Sequence, residues 1–123
     1  MSSGRLLIVD DEDDIRLIAR MSLERIGGWE VLDAGSAEAA VEAARSGPFD
    51  AVLLDVMMPG VDGPGTLELL RPVIGADTPV IFLTAKTQTA DRERLSDLGA
   101  AGLIAKPFDP MTLPDEVSAR LAR

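Results

Sequence analysis

Neither cysteine nor histidine occurs anywhere in this chain. Without cysteine there are no disulfides, no thiol nucleophile and no zinc–thiolate centre. Without histidine there is no imidazole acid–base chemistry, no histidine metal ligand and no service as a phosphohistidine carrier. No apolar run approaches the roughly 18 residues that span a bilayer. The opening MSSGRLLIVDDE is not a secretory signal, because its apolar run is short and acids follow it at once. The expected location is cytoplasmic, with no membrane association. Positive charge is scarce: 12 Lys and Arg stand against 21 Asp and Glu, a net charge of −9. Non-specific DNA binding draws its affinity from cationic side chains on phosphates, so direct nucleic-acid binding is not expected. An acidic chain suits divalent cations or basic partner surfaces instead.

The chain has 123 residues, of which 46% are hydrophobic, enough for one domain around one core. Short apolar runs recur at 6–9 (LLIV), 30–33 (EVLD), 51–54 (AVLL), 80–83 (VIFL) and 102–105 (GLIA). Each has the length of a buried strand. Segments of helical spacing lie between them. Ile15, Ile18, Ala19 and Ile26 are expected on one buried helix face that ends at Gly27-Gly28. Ser36 is the expected N-cap of an Ala-rich helix stopping near Gly47-Pro48. A third helix is expected over about 64–70 and a fourth over about 88–98. A fifth is expected to begin near Pro114, with Leu113, Val117 and Leu121 at i, i+4, i+8. Trp29 is expected to cover the turn before the second strand, and Met21 to serve helix packing. Five β-α repeats with continuously apolar strands imply a doubly wound, five-stranded parallel sheet with five helices. The expected order is 2-1-3-4-5, flavodoxin-like, over a single domain 1–123 with no output domain.

Ligands of such sheets bind at the carboxyl ends of the strands, near the switch in strand order. Asp10-Asp11 follow the first strand, Asp55 the third, Thr84 the fourth and Lys106 the fifth. Asp33 and Ala34 end the second and receive no role. Clustered carboxylates call for a cation, and hard oxygen ligands favour Mg²⁺. A carboxylate beside that ion can attack phosphorus, with Lys106 supplying charge and Thr84 a hydroxyl donor to the phosphoryl oxygens. Each residue also has a plainer reading. Asp10 and Asp11 could cap a helix, Asp55 could be a turn residue, Thr84 could end a strand and Lys106 could be a solvated loop charge. Their convergence on one sheet edge favours the site. Glu12, Asp13 and Asp14 read as caps or solvated charge, and the run 91–94 as a solvated helix face.

The strand-end sequences VDDEDD, LLDVMMPGVDG, VIFLTAK and GAAGLIAKPF, in that order and spacing, resemble the receiver domain of bacterial two-component response regulators. The resemblance covers the whole chain. It implies that Asp55 accepts a phosphoryl group from the phosphohistidine of a sensor histidine kinase or a histidine phosphotransfer protein. It implies that Asp11 and Asp55 bind Mg²⁺ directly, that Asp10 supports it through water, and that the backbone carbonyl of Met57 is a further ligand. Lys106 and Thr84 would contact the phosphoryl oxygens, and the bond before Pro107 would be cis. The signal would pass to a protein effector through the face of the fourth helix, fifth strand and fifth helix, in a monomer or a phosphorylation-linked weak dimer. Where the family carries Tyr or Phe three residues before the lysine, this chain has Leu103. Met57 and Lys86 would flank the path of the attacking water. The chain is expected to undergo self-phosphotransfer and slow autodephosphorylation, not enzymatic turnover. Two other readings are a metal-dependent aspartyl phosphatase, which would need a general acid where Met57 stands, and a phosphorylation-independent pseudo-receiver.

Overall fold

A computed structural model describes residues 4–85 and 89–122. Its ten elements alternate in chain order. The strands are β1 (Gly4–Val9), β2 (Trp29–Ala34), β3 (Ala51–Asp55), β4 (Val80–Thr84) and β5 (Gly102–Ala105). The helices are α1 (Asp13–Arg25), α2 (Ala37–Ala44), α3 (Gly63–Ile74), α4 (Thr89–Asp97) and α5 (Leu113–Leu121). All strand pairings are parallel and the order is β2-β1-β3-β4-β5.

The continuous apolar runs are explained by burial on both faces. Successive side chains of a strand point to opposite sides. Leu7, Val9, Val52, Leu54, Val80 and Phe82 pack with Ala40, Ala44, Leu67, Leu70 and Leu95 of α2, α3 and α4. Leu6, Ile8, Leu53, Ile81, Leu83 and Ile104 pack with Ala19, Leu23, Leu113 and Val117 of α1 and α5. Each fully buried Leu or Ile contributes about 1.5–3 kcal/mol of apolar transfer energy.

Side-chain caps set two of the helix starts. The Ser36 side chain accepts from the Ala39 N–H and starts α2 as expected, and Asp62 does the same for α3 through the Gly65 N–H. Helix α3 runs on to Ile74, beyond the expected 70, because Pro72 is carried inside it. Proline removes one hydrogen bond, yet Leu67 and Leu70 are anchored in the core just before it. The buried face of α1 is Ala19, Ser22 and Leu23. Ile18 and Ile26 are 41% and 51% exposed, contrary to expectation. Ile18 lies about 100° round the helix from Ala19, and Ile26 is the C-cap residue, past the last packed turn. Met21, expected in packing, is likewise exposed. Trp29 opens β2 and sits in the core with Leu23 and Val117, so it does more than cover a turn. No described helix is long and apolar enough to cross a membrane.

Candidate functional site

Strand β1 is hydrogen-bonded to β2 on one side and β3 on the other, so the chain direction across the sheet reverses there. Helices leave to opposite faces at that point and a crevice opens above the carboxyl ends of β1 and β3. Asp10 and Asp11 directly follow β1 and Asp55 is the last residue of β3. One carboxylate oxygen from each of the three lies within 4.8 Å of the others.

Burial makes this arrangement costly. Asp10 is fully buried and Asp55 is 3% exposed. Burial, then the Asp10 charge, pushes the Asp55 carboxyl up from 3.8 to about 6, against the opposing pull of Lys106 and the Met57 N–H. The Lys106 ammonium lies 3.0 Å from Asp10 Oδ2 and 3.4 Å from Asp55 Oδ2. Burial works to lower the Lys106 pKa, but hydrogen bonding and charge from Asp10, with the Asp55 charge, outweigh it and hold the ammonium above its ordinary value. Asp10 Oδ1 accepts the Glu12 N–H, and Asp55 Oδ1 accepts the Met57 N–H at 3.3 Å. Asp55 Oδ2 is buried and accepts no hydrogen bond. A buried carboxylate oxygen left so calls for a partner. Together with three hard oxygen donors in reach of one another, it fits a cation such as Mg²⁺.

The remaining strand ends complete the crevice. Thr84 is the last residue of β4, nearly fully buried, and its carbonyl accepts the Lys106 N–H at 2.9 Å. The Lys106–Pro107 bond is cis, as expected. A cavity of about 320 Å³ opens over Asp55, lined by Glu12, Ile15, Met57, Ala85, Lys106 and Pro107. The Met57 side chain stands at its mouth, 64% exposed. Gly63, at the start of α3, approaches so closely that a Cβ there would meet the Asp55 carbonyl oxygen at 2.4 Å. Only glycine permits that contact.

Asp10, Asp11, Asp55 and Lys106 are thus brought together, with Thr84 joined through the Lys106 backbone. Lys86 lies outside the described residues. Glu12 is the exposed N-cap residue of α1, as expected of a cap or solvated charge, though its side chain makes no cap hydrogen bond; its Oε1 also lies 3.4 Å from the Lys106 ammonium. Arg16 was missed. Its signal in sequence was a lone cation one turn into α1, after five consecutive acids. Leu103 is half-buried against the sheet core and lines a separate cavity of about 320 Å³ with Arg92, Ser96, Gly102 and Arg120. Arg92, Glu93 and Arg94 are exposed, as expected of a solvated face.

The fold and the site define a flavodoxin-like α/β domain with an acidic, cation-ready edge at its switch point. The family model described as response regulator receiver domain matches residues 6–118. Over all 123 residues the chain is 38% identical to the transcriptional regulatory protein YvrH of Bacillus subtilis, covering 51% of that protein. It is 39% identical over 121 residues to the transcriptional regulatory protein SrrA of Staphylococcus aureus, covering 98% of this chain and 49% of SrrA. The chain therefore spans about half the length of these curated relatives. The structure of the chemotaxis protein CheY4 of Vibrio cholerae superposes with a TM-score of 0.87 at 30% identity, covering 94% of this chain and 97% of CheY4. A putative response regulator from Chloroflexus aurantiacus superposes with a TM-score of 0.83 at 34% identity, covering 98% of each chain. This chain belongs to the response regulator receiver domain family of two-component systems.

Proposed function

We propose that this domain is a phospho-accepting switch in which Asp55 takes a phosphoryl group from the phosphohistidine of a kinase or a phosphotransfer protein. The observation that carries the reading is Asp55 Oδ2, buried without a hydrogen bond and set between two further carboxylates and an ammonium. An Asp55 oxygen attacks phosphorus and forms the new O–P bond. The P–N bond breaks, and its electron pair remains with the departing imidazole nitrogen. Asp10, Asp11 and Asp55, with the Met57 carbonyl, would hold Mg²⁺, which when bound neutralises both the carboxylates and the incoming phosphoryl oxygens. Lys106, held by Asp10 beside Asp55, would contact the transferred group, and Thr84 would donate its hydroxyl to the same oxygens. The change passes through α4, β5 and α5 to a protein partner. Met57, where an aspartyl phosphatase would carry its general acid, has no proton to give a leaving alcohol, so the transfer is self-directed and not catalytic turnover.

The test is phosphotransfer profiling. Candidate kinases are autophosphorylated, mixed with wild type and with Asp55→Ala, and the fastest transfer is scored. The reading expects label on the wild type from a cognate kinase and none on the variant. Equal labelling of both proteins would remove Asp55 from its role.

A further inference from the structure

The β1–α1 turn holds two of the three carboxylates, and a second cation reaches it from below. Arg16, in the first turn of α1, donates from Nη1 to the Asp10 carbonyl at 2.7 Å and from Nη2 to Asp13 Oδ1 at 2.7 Å. Its Nε lies 3.7 Å from Asp33 Oδ2 at the end of β2. Asp33 also faces Arg20 Nη1 at 3.5 Å. On its other side the Asp10 main chain donates its N–H to the Ala34 carbonyl at 3.1 Å. The Asp10 peptide is therefore gripped between β2 and a guanidinium that is itself anchored at three points. Gly35 leaves the room: a Cβ there would come within 2.9 Å of Nη1.

We propose that Arg16 is a positioning residue for the cation site. It acts through the Asp10 carbonyl to hold Asp10 and Asp11 where their carboxylates converge with Asp55. The inference rests on the reading of the acidic cluster as a divalent-cation site. It also gives Asp33 and Gly35, at and just past the end of β2, a purpose that their sequence alone does not reveal. The planar fork is needed, because a lysine ammonium on a flexible stem cannot hold two separate acceptors in fixed directions while also facing the Asp33 carboxylate.

Charge and position make opposite forecasts here. A cation beside a cation site repels the metal, so removing it would tighten binding if charge alone mattered. A positioning role forecasts weaker binding. Supporting partners of metal ligands typically set affinity by about 10–100-fold.

The experiment is calorimetric titration of Mg²⁺ into wild type, Arg16→Gln, Arg16→Lys and Gly35→Ala, with thermal melts of each in EDTA. Gly35→Ala is the fold-preserving variant, because the atom it displaces is the far end of a flexible side chain. It is expected to melt like wild type and to bind Mg²⁺ about tenfold more weakly. Arg16→Lys and Arg16→Gln are expected to weaken binding at least as much. Wild-type affinity in Gly35→Ala, or tighter binding in Arg16→Gln, overturns the proposal. No Mg²⁺ binding by the wild type overturns the site reading and the proposal with it, a result distinct from equal binding by all four proteins.

Discussion

Lys106 and Asp10 stand 96 positions apart in the chain, yet the ammonium of one lies 3.0 Å from Oδ2 of the other. The same ammonium is 3.4 Å from Asp55 Oδ2 but makes no hydrogen bond with it. Lys106 is thus committed first to Asp10, and Asp55 keeps one oxygen in reserve. The proposed acceptor role asks for a carboxylate oxygen beside a positive charge that is held mainly by another partner, and this geometry suits it.

Replacing Lys106 by Met removes that charge and leaves two buried carboxylates opposed. Phosphorylation by acetyl phosphate with Mg²⁺ is expected to slow by about 100-fold or more, the usual scale for losing one preorganised charge at a reacting centre. The rate of phosphoprotein formation, followed by phosphate-affinity electrophoresis, measures it. A rate within a few-fold of wild type would take Lys106 out of the reaction.

The raised Asp55 pKa has a stability signature in metal-free protein. The folded chain holds the Asp55 proton up to about pH 6, whereas an unfolded carboxyl releases it near 3.8. Between those values the folded state binds more protons, so this group's contribution to stability falls as pH rises through the window. Asp55→Asn removes the charged form. It is expected to stabilise the chain at pH of about 7.5 by something on the order of 3 kcal/mol, and by much less at pH of about 4. Urea unfolding in EDTA at the two pH values checks the difference, and an equal effect at both would refute it.

Met57 projects a thioether at the mouth of the cavity over Asp55. It cannot orient a water, so hydrolysis of the acyl phosphate should be slow. Met57→Asn supplies a donor and an acceptor there and is expected to shorten the phosphorylated half-life several-fold. Decay of labelled protein after removal of the donor gives the answer, and an unchanged or longer half-life counts against the idea.

Leu103 is half-buried beside an open cavity between α4 and α5. A larger ring can occupy that space without forcing the core apart. Leu103→Tyr is expected to change stability by less than about 1 kcal/mol, whereas overpacking a closed site costs more. Thermal denaturation separates the two cases.

The strands, and the places of the candidate site residues at their ends, were legible because each residue ends or follows a short apolar run. The end of a parallel strand fixes a residue to one edge of the sheet whatever the helices do. Asp10, Asp11, Asp55, Thr84 and Lys106 all read out in this way. Features set by tertiary contact did not. Whether Ile18 or Leu23 faces the sheet depends on the roll of α1, and two or three residues share its apolar stripe. Pro72 reads as a stop, but α3 passes through it once packed on the core. The contacts of Glu12 with Lys106 and of Arg16 with Asp33 are not legible in sequence, because those partners come from distant parts of the chain.

Intact-mass analysis after acetyl phosphate and Mg²⁺, and peptide mapping after borohydride trapping of the aspartyl phosphate, test the acceptor itself. One phosphoryl group per chain is expected by intact mass, with reduction to homoserine on the peptide containing Asp55, both dependent on Mg²⁺ and absent from Asp55→Ala. Modification at Asp10, Asp11 or any other residue, or none on wild type under conditions where Mg²⁺ is bound, would contradict the account.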